Sequence, residues 1–180
     1  AADLFRAAGY KTVGIDHFAK PDDSLAKAAD KGTLRRNFQG YTTDTCPALI
    51  GLGASSISRF DEGYVQNAAA TAAYMQRIEA GKFAGYRGHV LSPDDKLRAR
   101  AIEMLMCDFA IDDGALIDNF GNCSNVLEPI HAQVLTAFDG FVVRTATGLE
   151  ILPQGRPLTR IIAQHYDRYV DTPAIYSKAS

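Results

Sequence analysis

The stretch Lys11-Thr12-Val13-Gly14-Ile15-Asp16 decides the fold class, because it alternates polar and apolar side chains between two helical patterns. A helical pattern over residues 1–8 precedes it, and this alternation is typical of a β-strand. After it, Pro21-Asp22-Asp23 begins a helix that runs to Gly32. A helix, a strand and a second helix in this order predict an α/β fold with a parallel sheet.

The segment from Leu34 to Phe60 lacks a clear period and is rich in Gly, Ser and Thr. Such a segment predicts irregular backbone that can approach a ligand closely. The helical spacing that follows predicts a helix from Tyr64 to a stop near Gly81.

A strong helix start, Ser92-Pro93-Asp94-Asp95, marks the predicted domain boundary. It offers an N-cap serine, a proline at the first helical position and two carboxylates near the positive end of the helix dipole. The chain is thereby divided into residues 1–91, predicted α/β, and residues 92–180, predicted mainly helical. In the second part, three helices, a β-hairpin around Thr147-Gly148 and a closing helix from Pro157 resemble a winged-helix arrangement.

The composition is that of a globular protein, with 180 residues, 47% hydrophobic and 22% charged. No window approaches the ~20 apolar residues that a membrane span needs, and the first residues do not form a signal peptide. We therefore expect a soluble, cytoplasmic protein without a membrane partner. Because the chain opens inside a helical pattern without an initiator Met, we also expect it to be a piece of a longer protein.

The charge excludes a nucleic-acid-binding role, although a winged helix invites one. The net charge is −2, and residues 93–180 carry 8 Lys and Arg against 12 Asp and Glu, a charge of −4. Phosphate contacts need clustered cations, so an acidic module is a poor candidate for a duplex.

Three cysteines, Cys46, Cys107 and Cys123, occur without any CxxC, CxxxCxxC or HxxxH spacing. Reduced thiols are expected, and this chain by itself offers no recognisable zinc or iron–sulfur site.

Three other features are candidates for a site. The segment 51–56 (GLGASS) partly matches the dinucleotide-binding GxGxxG, but Ser56 replaces the third glycine, so a tight packing turn is the better interpretation. His17 follows Asp16 at the end of the predicted strand, where ligand sites gather, yet a lone histidine is more often structural. Arg35-Arg36 lies beside an aromatic and an amide, and either a binding role or a solvated pair fits.

Several stretches together resemble the oxygen-independent coproporphyrinogen III oxidase family, of the radical S-adenosylmethionine class. They are GIDHFAKPDD (14–23), LRRNFQGYTT (34–43), LIGLGASSIS (49–58), YVQN (64–67) and LMCDF (105–109). The resemblance covers most of the chain and is clearest up to Phe109. It implies that the chain is the C-terminal part of such an enzyme. Residues 1–91 would be the last βα portion of an incomplete TIM-type barrel, and residues 92–180 the helical domain that covers it.

The family reaction converts two propionates of coproporphyrinogen III to vinyl groups, giving protoporphyrinogen IX, with S-adenosylmethionine and a [4Fe–4S] cluster as cofactors. The resemblance places Phe38, Gln39 and Ile57 near S-adenosylmethionine, while the CxxxCxxC motif that holds the cluster does not occur in this chain. A chain without that motif is expected to be inert alone and to hold neither cofactor tightly. Arg36 is predicted to bind a substrate carboxylate, because a guanidinium matches a carboxylate in a bidentate pair. A non-catalytic module that binds porphyrin or a partner is the alternative function.

Overall fold

The computed structural model of the protein describes residues 2–170, which form a mixed α/β fold with small sheets. Its contacts divide into two compact units. The first contains the chain up to Thr43 and from Leu97 onward, and the second contains Asp44–Lys96. No helix among the described residues is both long and apolar enough to cross a membrane.

The first unit opens with short elements. They are α1 (Ala2–Ala7), β1 (Lys11–Val13), β2 (His17–Ala19), α2 (Ser24–Asp30), β3 (Arg35–Asn37) and β4 (Gly40–Thr42). The helix predicted after Pro21 is confirmed as α2, with the side chain of Asp23 accepting a hydrogen bond from the backbone N–H of Leu25. Its buried alanines pack with Val13 and Leu34 in a small core.

The parallel sheet predicted from the helix, strand, helix order is wrong for the described residues, whose strand pairs are all antiparallel. β1 pairs with β2 in a hairpin, because Gly14 adopts a positive φ of 57° and turns the chain back. β3 and β4 form a second hairpin in the segment predicted to be irregular.

A larger module completes the first unit from Leu97 onward, and its first helix begins at Pro93, within the second unit. Its elements are α4 (Pro93–Asp108), β8 (Ala110–Asp112), α5 (Asp113–Phe120), α6 (Ser124–Ala137), β9 (Val142–Arg144), β10 (Gly148–Ile151), a 3-10 helix (Pro153–Leu158) and α7 (Thr159–Gln164). The three predicted helices and the hairpin are confirmed. The strands form one antiparallel sheet in the order β8-β10-β9, and β8 is a strand that the sequence did not predict. The fully buried Leu105, Leu116, Val134 and Ile162 lie in its core.

The predicted N-cap of α4 is confirmed. Ser92 and Asp95 form a reciprocal cap, in which the Ser92 backbone N–H donates to Asp95 Oδ2 (2.9 Å) and the Asp95 N–H donates to Ser92 Oγ (3.2 Å).

The second unit contains β5 (Ile57–Phe60), β6 (Gly63–Asn67), α3 (Thr71–Glu79) and β7 (Gly85–Val90), with the strands in the order β5-β6-β7. The helix predicted from Tyr64 begins only at Thr71, because residues 63–67 form the central strand of this sheet. Tyr64 and Ala68 match a helical spacing by coincidence, since β6 ends between them.

Candidate functional site

The β3–β4 turn presents two of the predicted site residues side by side. Phe38 is 53% exposed, and Gln39 is exposed with its backbone N–H donating to Asn37 Oδ1 (2.8 Å). Gly40 follows with φ 134°, a conformation that favours glycine. The turn is therefore tied by its own backbone while it offers an aromatic face and an amide to a ligand.

Arg36 and Arg35 have different surroundings on β3. Arg35 pairs with Glu103 (3.4 Å), which also pairs with Arg100 (2.6 Å) and accepts a hydrogen bond from the Arg36 backbone N–H (3.1 Å). The Arg36 guanidinium instead lies over the Tyr41 ring, 5.0 Å from its centroid. Within residues 2–170 we find no hydrogen bond or ion pair from that guanidinium, so Arg36 is the arginine available to a ligand.

Tyr41 is held in place by two hydrogen bonds between its hydroxyl and the backbone. Its hydroxyl accepts a hydrogen bond from the Ile15 backbone N–H (3.0 Å) and donates to the Met106 carbonyl (2.9 Å). Burial raises the pKa of this phenol, which therefore stays a neutral donor. A Cβ at Gly14 would overlap the ring, so the glycine is also required for this packing.

His17 contacts the same ring edge-on, with the two ring centroids 4.9 Å apart. Its Nδ1 lies 2.8 Å from Asp16 Oδ1, and the other carboxylate oxygen, Oδ2, accepts a hydrogen bond from Arg160 of α7 (2.7 Å). Burial raises the pKa of Asp16, but the hydrogen bond with His17 and the charge of Arg160 outweigh it and hold the pKa below its usual value. An ionised Asp16 thus orients the imidazole.

Ile57, the third residue predicted near the cofactor, lies half-buried in β5 of the second unit. The glycine-rich turn before it is held internally, since the Asn67 side-chain amide donates to the carbonyls of Gly51 (3.1 Å) and Gly53 (3.0 Å). A Cβ at Gly51 would come within 2.8 Å of the Ile57 carbonyl oxygen. These contacts support the packing turn over a pyrophosphate loop, and the role of Ile57 stays a prediction.

The three thiols are free cysteines. Burial raises the pKa of Cys107 to about 12 and also raises the pKa of Cys123, while a hydrogen bond with Asp44 raises the pKa of exposed Cys46. No group of three or more His, Cys, Asp or Glu that could hold a metal ion occurs in the described part of the chain.

Two polar clusters were not predicted from the sequence. Asp16 and His17 are neighbours in the sequence, but Arg160 lies 144 residues away and no spacing signals the contact. In the larger module, fully buried His131 lies 2.6 Å from the Tyr166 hydroxyl and 3.0 Å from Asp113 Oδ1. His131 and Tyr166 lie 35 residues apart, so no spacing in the sequence signals this contact either.

Known proteins resemble the chain closely. An oxygen-independent coproporphyrinogen III oxidase from Cereibacter sphaeroides is 51% identical over the full chain, and one from Paracoccus denitrificans is 52% identical over 94% of it. The chain spans 40% and 38% of these two relatives, respectively. The solved structure of Escherichia coli coproporphyrinogen III oxidase (HemN), described as a radical SAM enzyme, superposes with a TM-score of 0.85 and 35% identity, covering 93% of this chain and 39% of that one. No family model matches.

Proposed function

We propose that this chain forms the C-terminal part of an enzyme that acts on coproporphyrinogen III. The premise is that the chain is homologous to the C-terminal part of the oxygen-independent coproporphyrinogen III oxidases. In the reaction each of two propionates loses a hydrogen atom from its β-carbon, carbon dioxide and one electron, and becomes a vinyl group. The 51% identity over the whole chain is the observation that carries this proposal.

In the whole enzyme, residues 1–91 would contribute the last βα portion of an incomplete TIM-type barrel. Residues 92–180 would form the winged-helix-like domain that covers this barrel portion. Residue 1 of the first domain and residues 171–180 of the second lie outside the described residues. The helices and the β9–β10 hairpin of the larger module support the second assignment.

S-adenosylmethionine fits the residues at the β3–β4 turn. The exposed ring of Phe38 offers a face for an apolar or adenine group, and the exposed amide of Gln39 offers a donor and an acceptor. When bound, this cofactor would supply the radical chemistry of the family, and the two side chains would hold and orient it. Ile57 is proposed separately to give an apolar contact.

Arg36 is proposed to bind a propionate of the substrate. Arg36 is a half-buried residue whose guanidinium lies over the Tyr41 ring, and a guanidinium can hold a carboxylate in a bidentate pair. Coproporphyrinogen III carries four propionates, and a site for it needs such cations.

The [4Fe–4S] cluster does not fit this chain's own cysteines. Cluster binding needs several thiolates brought together, and the described residues contain no group of three or more His, Cys, Asp or Glu that could hold a metal ion. We therefore propose that the 180-residue chain alone is inert and that cluster ligands come from another part of the enzyme.

A chimera tests the proposal. The chain would replace the matching part of the Cereibacter sphaeroides relative, and the purified chimera would be assayed anaerobically for protoporphyrinogen IX. We expect turnover by the chimera and none by the chain alone. A chimera that retains its cluster and cleaves S-adenosylmethionine but decarboxylates no coproporphyrinogen would contradict the proposal.

A further inference from the structure

His17 Nε2 is a polar atom that the fold leaves open next to the β3–β4 turn. Its side chain is 51% exposed, and Nδ1 is already engaged by Asp16. We find no hydrogen-bond partner for Nε2 among residues 2–170. A Cβ added at Gly40 would lie 3.9 Å from this nitrogen, so Nε2 lies close to the turn that carries Phe38 and Gln39.

Two positively chargeable groups lie next to the single ring of Tyr41. The Arg36 guanidinium lies 5.0 Å from the ring centroid and the His17 ring lies 4.9 Å from it. The ring itself cannot move freely, because its hydroxyl is bonded to the backbone of Ile15 and Met106. Tyr41 therefore gives both groups a fixed ring to pack against before any ligand arrives.

The neighbouring carboxylates do not neutralise these two groups completely. Asp16 has Arg160 as its own cation, and Glu103 and Asp108 share Arg35 and Arg100. A carboxylate at Nε2 requires the imidazolium form of His17, which donates from Nδ1 to Asp16 and from Nε2 to the second acceptor. The local balance of charge then favours an incoming anion.

We propose that His17 Nε2 and the Arg36 guanidinium bind one ligand carboxylate at the edge of Tyr41. Asp16 and Arg160 act as positioning residues that fix the orientation of the imidazole. The carboxylate belongs either to a porphyrinogen propionate or to the methionyl end of the cofactor, and this choice of ligands rests on the proposed function.

The test uses the full chain with two probes, coproporphyrin III and S-adenosylhomocysteine. Histidine-ring NMR spectra of the unmutated chain should show the His17 Nε2 signal shifting with one probe, and the responsive probe identifies the source of the carboxylate. His17→Gln and Arg36→Gln should each weaken binding of that probe about tenfold, as expected for loss of one charge-assisted hydrogen bond. The matched control is His165→Gln, because His165 is exposed and lies against Phe138 rather than Tyr41.

Binding that His17→Gln leaves within twofold of the unmutated chain overturns the inference, as does an unmoved His17 signal in the unmutated chain. The His17 signal is measured on the unmutated chain, so this readout does not depend on whether a variant folds. Failure to bind either probe also overturns the inference without deciding the proposed function, which is judged separately by turnover of the chimera.

Discussion

Gly14→Ala should destabilise the first unit much more than Gly32→Ala, although the two glycines have nearly the same backbone conformation. Their φ angles are 57° and 63°, and a residue with a Cβ pays about 1–2 kcal/mol for that left-handed conformation at either position. At Gly32 an added Cβ meets nothing within 4 Å, whereas at Gly14 it would overlap the ring of Tyr41.

The extra cost at Gly14 is set by what Tyr41 loses when it moves away. Its hydroxyl makes two part-buried hydrogen bonds, to Ile15 N–H (3.0 Å) and to the Met106 carbonyl (2.9 Å). At about 1 kcal/mol for each bond, Gly14→Ala should lower the free energy of unfolding by about 2 kcal/mol more than Gly32→Ala does.

Urea unfolding followed by circular dichroism measures this difference, and a Tyr41→Ala background supplies the control. Without the ring there is nothing to overlap, so the extra cost of Gly14→Ala should disappear in that background. Equal costs for the two glycine variants in the unmodified chain would refute the reasoning. An extra cost that persists without Tyr41 would refute it too.

Other perturbations test separate parts of the structure. Tyr166→Phe should lower the free energy of unfolding by about 1–3 kcal/mol, because a buried histidine nitrogen loses its partner, and exposed Tyr86→Phe is the control in urea unfolding. Burial raises the pKa of Cys107 from 9.0 to about 12, so the unfolded chain loses the thiol proton at a lower pH than the folded chain does. The free energy of unfolding should therefore fall as the pH rises above 9, and Cys107→Ala should make the urea midpoint fall less steeply. A thiol-titrating disulfide reagent should modify one cysteine, Cys46, in the folded protein and three in urea; rapid modification of a second would contradict the burial. In the chimera, Phe38→Ala should weaken S-adenosylmethionine binding by about 1 kcal/mol at unchanged cluster content, and unaltered affinity would remove the ring from the cofactor site.

The larger module could be predicted from the sequence because its signals are local. Ser92 and Asp95 carry the cap of α4, and the apolar spacing of α6 and the Thr147-Gly148 turn each depend on residues close together in the chain. The second unit was predicted less well. Its sheet pairs β5, β6 and β7 across intervening segments, and in so short a strand as β6 the alternation is too brief to distinguish from a helical spacing.

The polar contacts of the candidate site could not be predicted for a different reason. Asp16, His17 and Arg36 were visible as residues that carry charge, but their partners are chosen by tertiary packing. Arg160 lies 144 residues from Asp16, and Glu103 lies 68 residues from Arg35. Sequence spacing gives no information about such pairs, because α4 and α7 determine them through packing in the core of the larger module.

Two of the five stretches that suggested the family also make the geometry of the candidate site. GIDHF, which begins at Gly14, supplies the turn that Tyr41 holds, and RNFQGYTT, which ends at Thr43, supplies Tyr41 itself. Two glycines are favoured there for different reasons, Gly14 because it admits the ring and Gly40 because its φ is 134°. These stretches span two hairpins, in which packing against Tyr41 explains Gly14 but does not explain the open Nε2 of His17. The polar atoms left open at those turns are therefore the part of the fold in which binding should be sought first.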